Sequence, residues 1–91
     1  MKQLFLIFST MLLPFVASAQ YPPEYAQLVQ EAWQLYHNKS FSASGQKYAE
    51  AFALSDLGKV DDRYNAACSW ALAGQADSAF VQLFRIAERG N

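Results

Sequence analysis

The strongest constraint on the fold is an internal repeat. Residues 29–52 reappear in kind 35 positions later, at 64–87. Val29 falls on Tyr64, Ala32 on Ala67, Trp33 on Cys68 and Phe41 on Ala76. Ser44 then falls on Ala79, Tyr48 on Leu83, Ala51 on Ile86 and Phe52 on Ala87, while Leu28 on Arg63 is a mismatch. Periods of this size made of helix–turn–helix units specify solenoid arrays, in which each unit packs on its neighbours. The second copy, Tyr64–Gly90, reads as two short helices bent back at Gly74-Gln75. Small residues stand where those helices would touch: Ala66, Ala67, Ala71, Ala79 and Ala87. Trp70, Leu72, Phe80, Leu83 and Ile86 would fill the spaces between.

The local signals agree with four helices. Tyr25, Leu28, Val29, Ala32, Trp33 and Tyr36 follow the i, i+3, i+4, i+7 rhythm of one apolar face, which predicts a helix over 24–37. Pro22-Pro23 suits its entry, because proline lacks an N–H where the first turn has no use for one. Asn38 is positioned to take the left-handed conformation that ends it. Ser40 offers an N-cap for a second helix to about Asp56, whose stripe is Phe41, Ser44, Tyr48, Ala51 and Phe52. Asp61 or Asp62 would cap a third helix over 62–73, and Gly74 would end it. A fourth follows over 76–88, with Arg85 and Arg89 near the negative end of its dipole. No period-2 run suggests a strand. The expected architecture is all-α: two antiparallel helix–turn–helix units, about 24–57 and 61–89, forming a fragment of an α-solenoid.

The first nineteen residues stand apart. Met1-Lys2 is followed by an apolar run from Leu4 to Val16 and by Ala17-Ser18-Ala19, the pattern of a secretory signal peptide with its cleavage site. The run is too short for a spanning helix, which needs roughly 20 apolar residues. Cleavage would leave residues 20–91 as an exported, periplasmic or secreted domain without a stable membrane anchor. That domain carries six Lys/Arg against eight Asp/Glu and no basic stripe, which argues against nucleic-acid binding. Its one cysteine, Cys68, has no partner for an intrachain disulfide. Stability must come from helix packing or association.

The two units resemble tetratricopeptide repeats, whose usual period is about 34 residues. In the second unit Ala67 matches the small position of the family's first helix, Gly74 the turn glycine and Ala79 the small position of its second helix. Its N-A-A-C-x-x-A-L-A-G-x-x-x-x-A-F run is similar to terminal repeats of exported bacterial proteins. In the first unit Ala32, Lys39 and Ser44 stand at those three positions, and Phe41, Tyr48 and Ala51 keep the later packing points. Leu83 and Ile86 match Tyr48 and Ala51 in the second copy. Close contacts of Ala67 with Ala79 and of Ala32 with Ser44 are expected, because helices approach to about 8–10 Å only where contact side chains permit. The resemblance implies a protein or peptide partner on the concave face lined by the first helix of each unit. On this chain that face carries Val29, Trp33, Tyr36, His37, Tyr64, Asn65 and Cys68. The competing reading packs Trp33 and Tyr36 against a neighbouring unit or folds them back on their own helix. The family's basic clamp for a C-terminal carboxylate is not expected, since Asn65 alone could serve it.

The chemical inventory points away from catalysis. His37, the sole histidine, has no Cys or His at metal-ligand spacing and no nucleophile to serve. Cys68 reads as a small buried apolar residue. No phosphate loop or calcium loop occurs, so neither cofactor nor metal is expected. The reading is a non-catalytic protein–protein interaction module. Two units leave helical faces open, so association with itself or a larger partner is expected. The last helix would act as an end cap, with Gln82, Arg85, Glu88 and Arg89 facing water. The alternatives are a small helical carrier of an apolar ligand, motivated by the many aromatics, and a remnant of a secreted hydrolase.

Overall fold

The computed structural model describes residues 21–55 and 58–89. The apolar leader, the cleavage pattern and the linker residues Asp56 and Leu57 lie outside the described residues. Among those described, the chain is all-α: α1 (Pro23–His37), α2 (Phe41–Leu54), α3 (Val60–Leu72) and α4 (Ala76–Arg89). Each helix packs on the next, giving two helical hairpins joined through α2 and α3. The repeat is visible in the boundaries themselves. The ends of α1, α2 and the start of α2 each reappear 35 positions on, in α3 and α4.

The two hairpins also turn by the same mechanism. After α1, Lys39 N–H donates to the Tyr36 carbonyl and Ser40 N–H to that of Leu35. After α3, Gly74 N–H donates to Ala71 and Gln75 N–H to Trp70. Both pairs form the Schellman arrangement, which satisfies helix-end carbonyls by sending one residue into the left-handed region. That residue is Gly74 (φ 82°) in the second hairpin and Lys39 (φ 65°) in the first. Asn38 does not take this role as expected; at φ −85° it is the last residue before the turn.

The helix starts differ in detail from the sequence reading. α1 begins at Pro23, and α2 ends at Leu54. Ser40 occupies the N-cap position of α2 but caps through its backbone, its carbonyl accepting from Ser44 N–H. α3 starts at Val60 with Lys59 at the N-cap position, so neither Asp61 nor Asp62 is a cap. Both lie in the first turn instead, where negative charge suits the helix dipole. Asp62 is drawn further by Tyr25, as described below.

The core is built where α3 lies on the first hairpin. Ala32, Tyr48, Ala51, Phe52 and Ala66 are buried together with Tyr25. Ser44 and Ser69, both fully buried, join three helices. Ser44 Oγ donates to the Ala32 carbonyl at 2.7 Å and accepts from Ser69 Oγ at 3.0 Å. The Ser69 proton is shared with the Asn65 carbonyl at 3.1 Å. This satisfies the expected Ala32–Ser44 contact, and makes Ser44 a polar link as well as a small residue. Beside it, Gly45 lets the Trp70 indole lie against the α2 backbone. A Cβ at Gly45 would stand only 2.5–2.9 Å from three ring atoms.

The second hairpin is less covered. Ala67 and Ala79 are both buried, as their small size requires. However, Leu72, Phe80 and Leu83 do not fill inter-helix spaces: they are 55%, 54% and 39% exposed. Leu83 and Ile86 therefore do not match the burial of Tyr48 and Ala51, because no further helix among the described residues covers them. Of the polar residues expected to face water on α4, Arg85, Glu88 and Arg89 are exposed, and Gln82 is half-buried. Gln82 Oε1 accepts from Arg63 Nη1 at 2.8 Å, and Arg89 donates to the Gly58 carbonyl. The Arg63 guanidinium also lies over the Phe52 ring, 4.4 Å from its centroid.

Two substitutions test this packing. Gly45→Ala is expected to lower stability by about 1–3 kcal/mol by overpacking against Trp70, despite the ~1 kcal/mol by which alanine favours a helix. Urea unfolding followed by tryptophan fluorescence reads the change. Lys39→Gly is expected to raise stability by up to about 1 kcal/mol, because glycine takes the left-handed turn position without a Cβ penalty. An unchanged urea midpoint would show that the lysine pays nothing for its conformation.

Candidate functional site

One side of the molecule is lined by α1 and α3, with Tyr48 of α2 between them. Two cavities lie along it. One, of about 190 Å³, is lined by Trp33, Tyr36, Tyr48, Tyr64, Asn65 and Cys68. The other, of about 320 Å³, includes Tyr21, Tyr25, Val29, Lys59 and Asp62, and shares Trp33, Tyr48 and Asn65 with the first. The shared walls make one groove. Five of the seven predicted face residues meet in the smaller cavity, and Val29 lies in the larger.

Trp33 and Tyr64 rise from opposite walls and are 53% and 58% exposed. Trp33 is thus not packed into a neighbouring unit. It leans on its own helix: the His37 ring sits 3.7 Å away, centroid to centroid, and His37 Nδ1 is 3.0 Å from the Trp33 carbonyl. His37 lines neither cavity, and so supports Trp33 from behind. Tyr36 is half-buried, with its ring edge-on to Phe41 at 5.4 Å. Phe41 belongs to the same hairpin, so this contact is not packing on a neighbouring unit. Cys68 is half-buried, so it is more accessible than a core residue.

A polar end was not foreseen. The Tyr25 hydroxyl donates to Asp62 Oδ2 at 2.8 Å and accepts from Lys59 N–H at 3.0 Å. This ties the start of α1 to the start of α3, 37 residues on. Lys59 Nζ lies 5.2 Å from the centre of the Tyr21 ring.

Burial shapes the two phenols beneath the groove. It is the main cause that raises Tyr25 well above the ordinary tyrosine value, with the Lys59 N–H opposing and the Asp62 hydrogen bond and charge adding. Tyr48 is pushed up to about 12, first by burial and then by the Asp62 charge, while the Asn65 side-chain hydrogen bond opposes. These groups hold position and supply a hydrogen-bonding floor; they are not poised for proton transfer near neutrality. Among the described residues, no three His, Cys, Asp or Glu side chains cluster as metal ligands would. No helix among them is long and apolar enough to cross a membrane.

No family model, curated protein or solved structure matches the chain.

The raised tyrosine values carry a pH signature. Both phenols remain protonated in the folded state at a pH where the unfolded chain ionises, about 10. Their contribution is complete below that pH and is lost as pH rises through the folded value, which for Tyr48 is about 12. The urea midpoint is expected to fall above pH 10, and Tyr48→Phe to flatten that fall. An equally steep decline in the variant would place the effect elsewhere.

Proposed function

We propose that this chain is an exported, non-catalytic interaction module of the tetratricopeptide kind, holding a peptide or protein segment in its concave groove. The single observation that supports this most is the pairing of exposed Trp33 and Tyr64 across a groove floored by Tyr48 and Asn65. Exposed aromatics over a firmly packed floor are the anchors on which interface energy concentrates. Asn65, Lys59, Asp62 and Gln30 add polar groups along the same walls, suited to a peptide backbone. The matching helix–turn–helix units support the tetratricopeptide reading, and the leader pattern of Met1–Ala19 supports export.

The carrier of an apolar ligand is the second reading. It draws on a separate cavity of about 380 Å³ between α3 and α4, lined by apolar residues from Tyr64 to Leu83. A ligand retained through native mass spectrometry would be its signature.

The groove is tested by selecting binders from a random peptide library and measuring their affinity for variants. Trp33→Ala and Tyr64→Ala are each expected to weaken a selected peptide by tenfold or more, about 1.4 kcal/mol, while shifting stability by no more than about 0.5 kcal/mol. Selected peptides indifferent to both substitutions would place the binding site elsewhere.

A further inference from the structure

Four aromatic side chains meet around one small cavity. Trp33 and Tyr36 of α1, Tyr48 of α2 and Tyr64 of α3 line the space of about 190 Å³, together with Asn65 and Cys68. Trp33 and Tyr36 share a face of α1 at i, i+3, and the other two rings come from two further helices. Among the described residues, none of the four rings pairs with another of the four. Their ring partners lie outside the cavity: His37 against Trp33, Phe41 against Tyr36 and Phe52 against Tyr48. Three rings are thus braced from outside, and the space among the four is left open.

The packing of a hairpin does not demand these aromatics. The slide of 35 residues carries Trp33 onto Cys68, Tyr36 onto Ala71 and Tyr48 onto Leu83. The second copy forms its own helical hairpin with those smaller side chains. Trp33 and Tyr64 are 53% and 58% exposed, so burial does not explain their presence either.

The electrostatics favour a cation. An aromatic ring is negative on its faces and attracts a cation within about 6 Å of its centroid. Among the described residues, no Lys or Arg lines this cavity. Asp62 stands on the wall of the adjoining larger cavity, which shares Trp33, Tyr48 and Asn65. Its charge reaches Tyr48, where it adds to burial in raising the phenol. Lys59 lines that larger cavity too, but its ammonium lies over the Tyr21 ring. An anion here would meet π-faces and a carboxylate, both of which attract a cation. The size narrows the choice. Sites for drug-sized ligands hold ~300–1,000 Å³, and this smaller space suits a compact head group. An ammonium with N–H groups would lose water and need acceptors in return, yet the Asn65 side chain is already hydrogen-bonded to Tyr48. A quaternary ammonium has no N–H to satisfy, and its methyl groups pack well against rings.

We propose that the cavity among Trp33, Tyr36, Tyr48 and Tyr64 is a cation–π site for a trimethylammonium head, the rest of the ligand running into the larger cavity past Gln30 and Asp62. This rests on the same groove serving as the binding site, whatever carries the head: a free choline-like molecule or a trimethylated lysine of a peptide.

Isothermal titration calorimetry of the purified chain tests the site with choline, with neohexyl alcohol as its uncharged carbon isostere, and with a short peptide carrying trimethyl-lysine. Choline is expected to bind at least about tenfold more tightly than the isostere. Trp33→Leu and Tyr64→Leu keep apolar bulk but remove a π-face, so each should weaken choline by about tenfold with helicity unchanged. Phe84→Leu, on α4, should leave binding as it was. A methylated peptide that binds more tightly than choline supports the peptide as carrier of the head; equal affinity supports the free cation. Three results would each overturn the site: no probe bound at millimolar concentration, an isostere as tight as choline, or choline binding indifferent to both α1 and α3 substitutions. In that event, unmethylated library peptides that still need Trp33 and Tyr64 would keep the groove as a peptide site and reject only its cation chemistry. Choline binding with no peptide selected would do the reverse, keeping the cation site and rejecting the peptide reading.

Discussion

The contact of Trp70 with Gly45 sets the position of everything that follows it in the chain. A helix can bring an indole onto another helix's backbone only where a side chain is missing, and α2 provides that gap at Gly45. The Ser69–Ser44–Ala32 hydrogen bonds fix the same approach in register, since buried hydroxyls tolerate few geometries that satisfy them. With α3 held there, Tyr25 can reach both Asp62 and the Lys59 N–H. The concave groove is a consequence: its two walls belong to different hairpins, and only this junction sets the distance between Trp33 and Tyr64.

Arg63 makes a second tie across the junction. Its guanidinium covers Phe52 of α2 and donates to Gln82 of α4, so one side chain links three helices. Burying that charge is tolerable because an aromatic face and an amide oxygen replace part of its water. Arg89 adds a bond from the end of α4 to the Gly58 carbonyl in the linker. Gln82 is turned inward by these contacts while Arg85, Glu88 and Arg89 stay exposed, and Phe80 and Phe84 face outward. One arrangement thus fastens the second hairpin to the first and leaves an apolar edge on the far side.

Much of the candidate groove was legible from periodicity. Trp33, Tyr36, Tyr64, Asn65 and Cys68 share one cavity because equivalent positions of repeated helices fall on one side when the units stack. The contribution of Tyr48 from below was not legible as a site, since a buried aromatic at a packing position looks like core alone. Lys59, Asp62 and Tyr21 were hidden for another reason. They join the groove through the path of the linker, and no helical rhythm describes that path. His37 sat on the expected face by spacing, yet stacks on Trp33 outside both cavities.

By itself, the sequence determined four helices and the pairing of neighbours, because those depend on spacing within about 15 residues and on connections too short for other topologies. It also determined that Ala66, Ala67 and Ala79 had to be small, whereas Ala71 and Ala87, read the same way, are exposed. Tertiary structure decided which apolar faces became core. Tyr48 and Leu83 stand at equivalent positions, but α3 covers Tyr48 and no described helix covers Leu83. Periodicity specifies the face of a helix that wants burial; whether it is buried depends on the neighbour that arrives. The same limit applied to charge. The rhythm of α4 assigned Gln82 to water, and the packed hairpins turned it toward Arg63 instead, while Arg89 stays exposed and still reaches the Gly58 carbonyl.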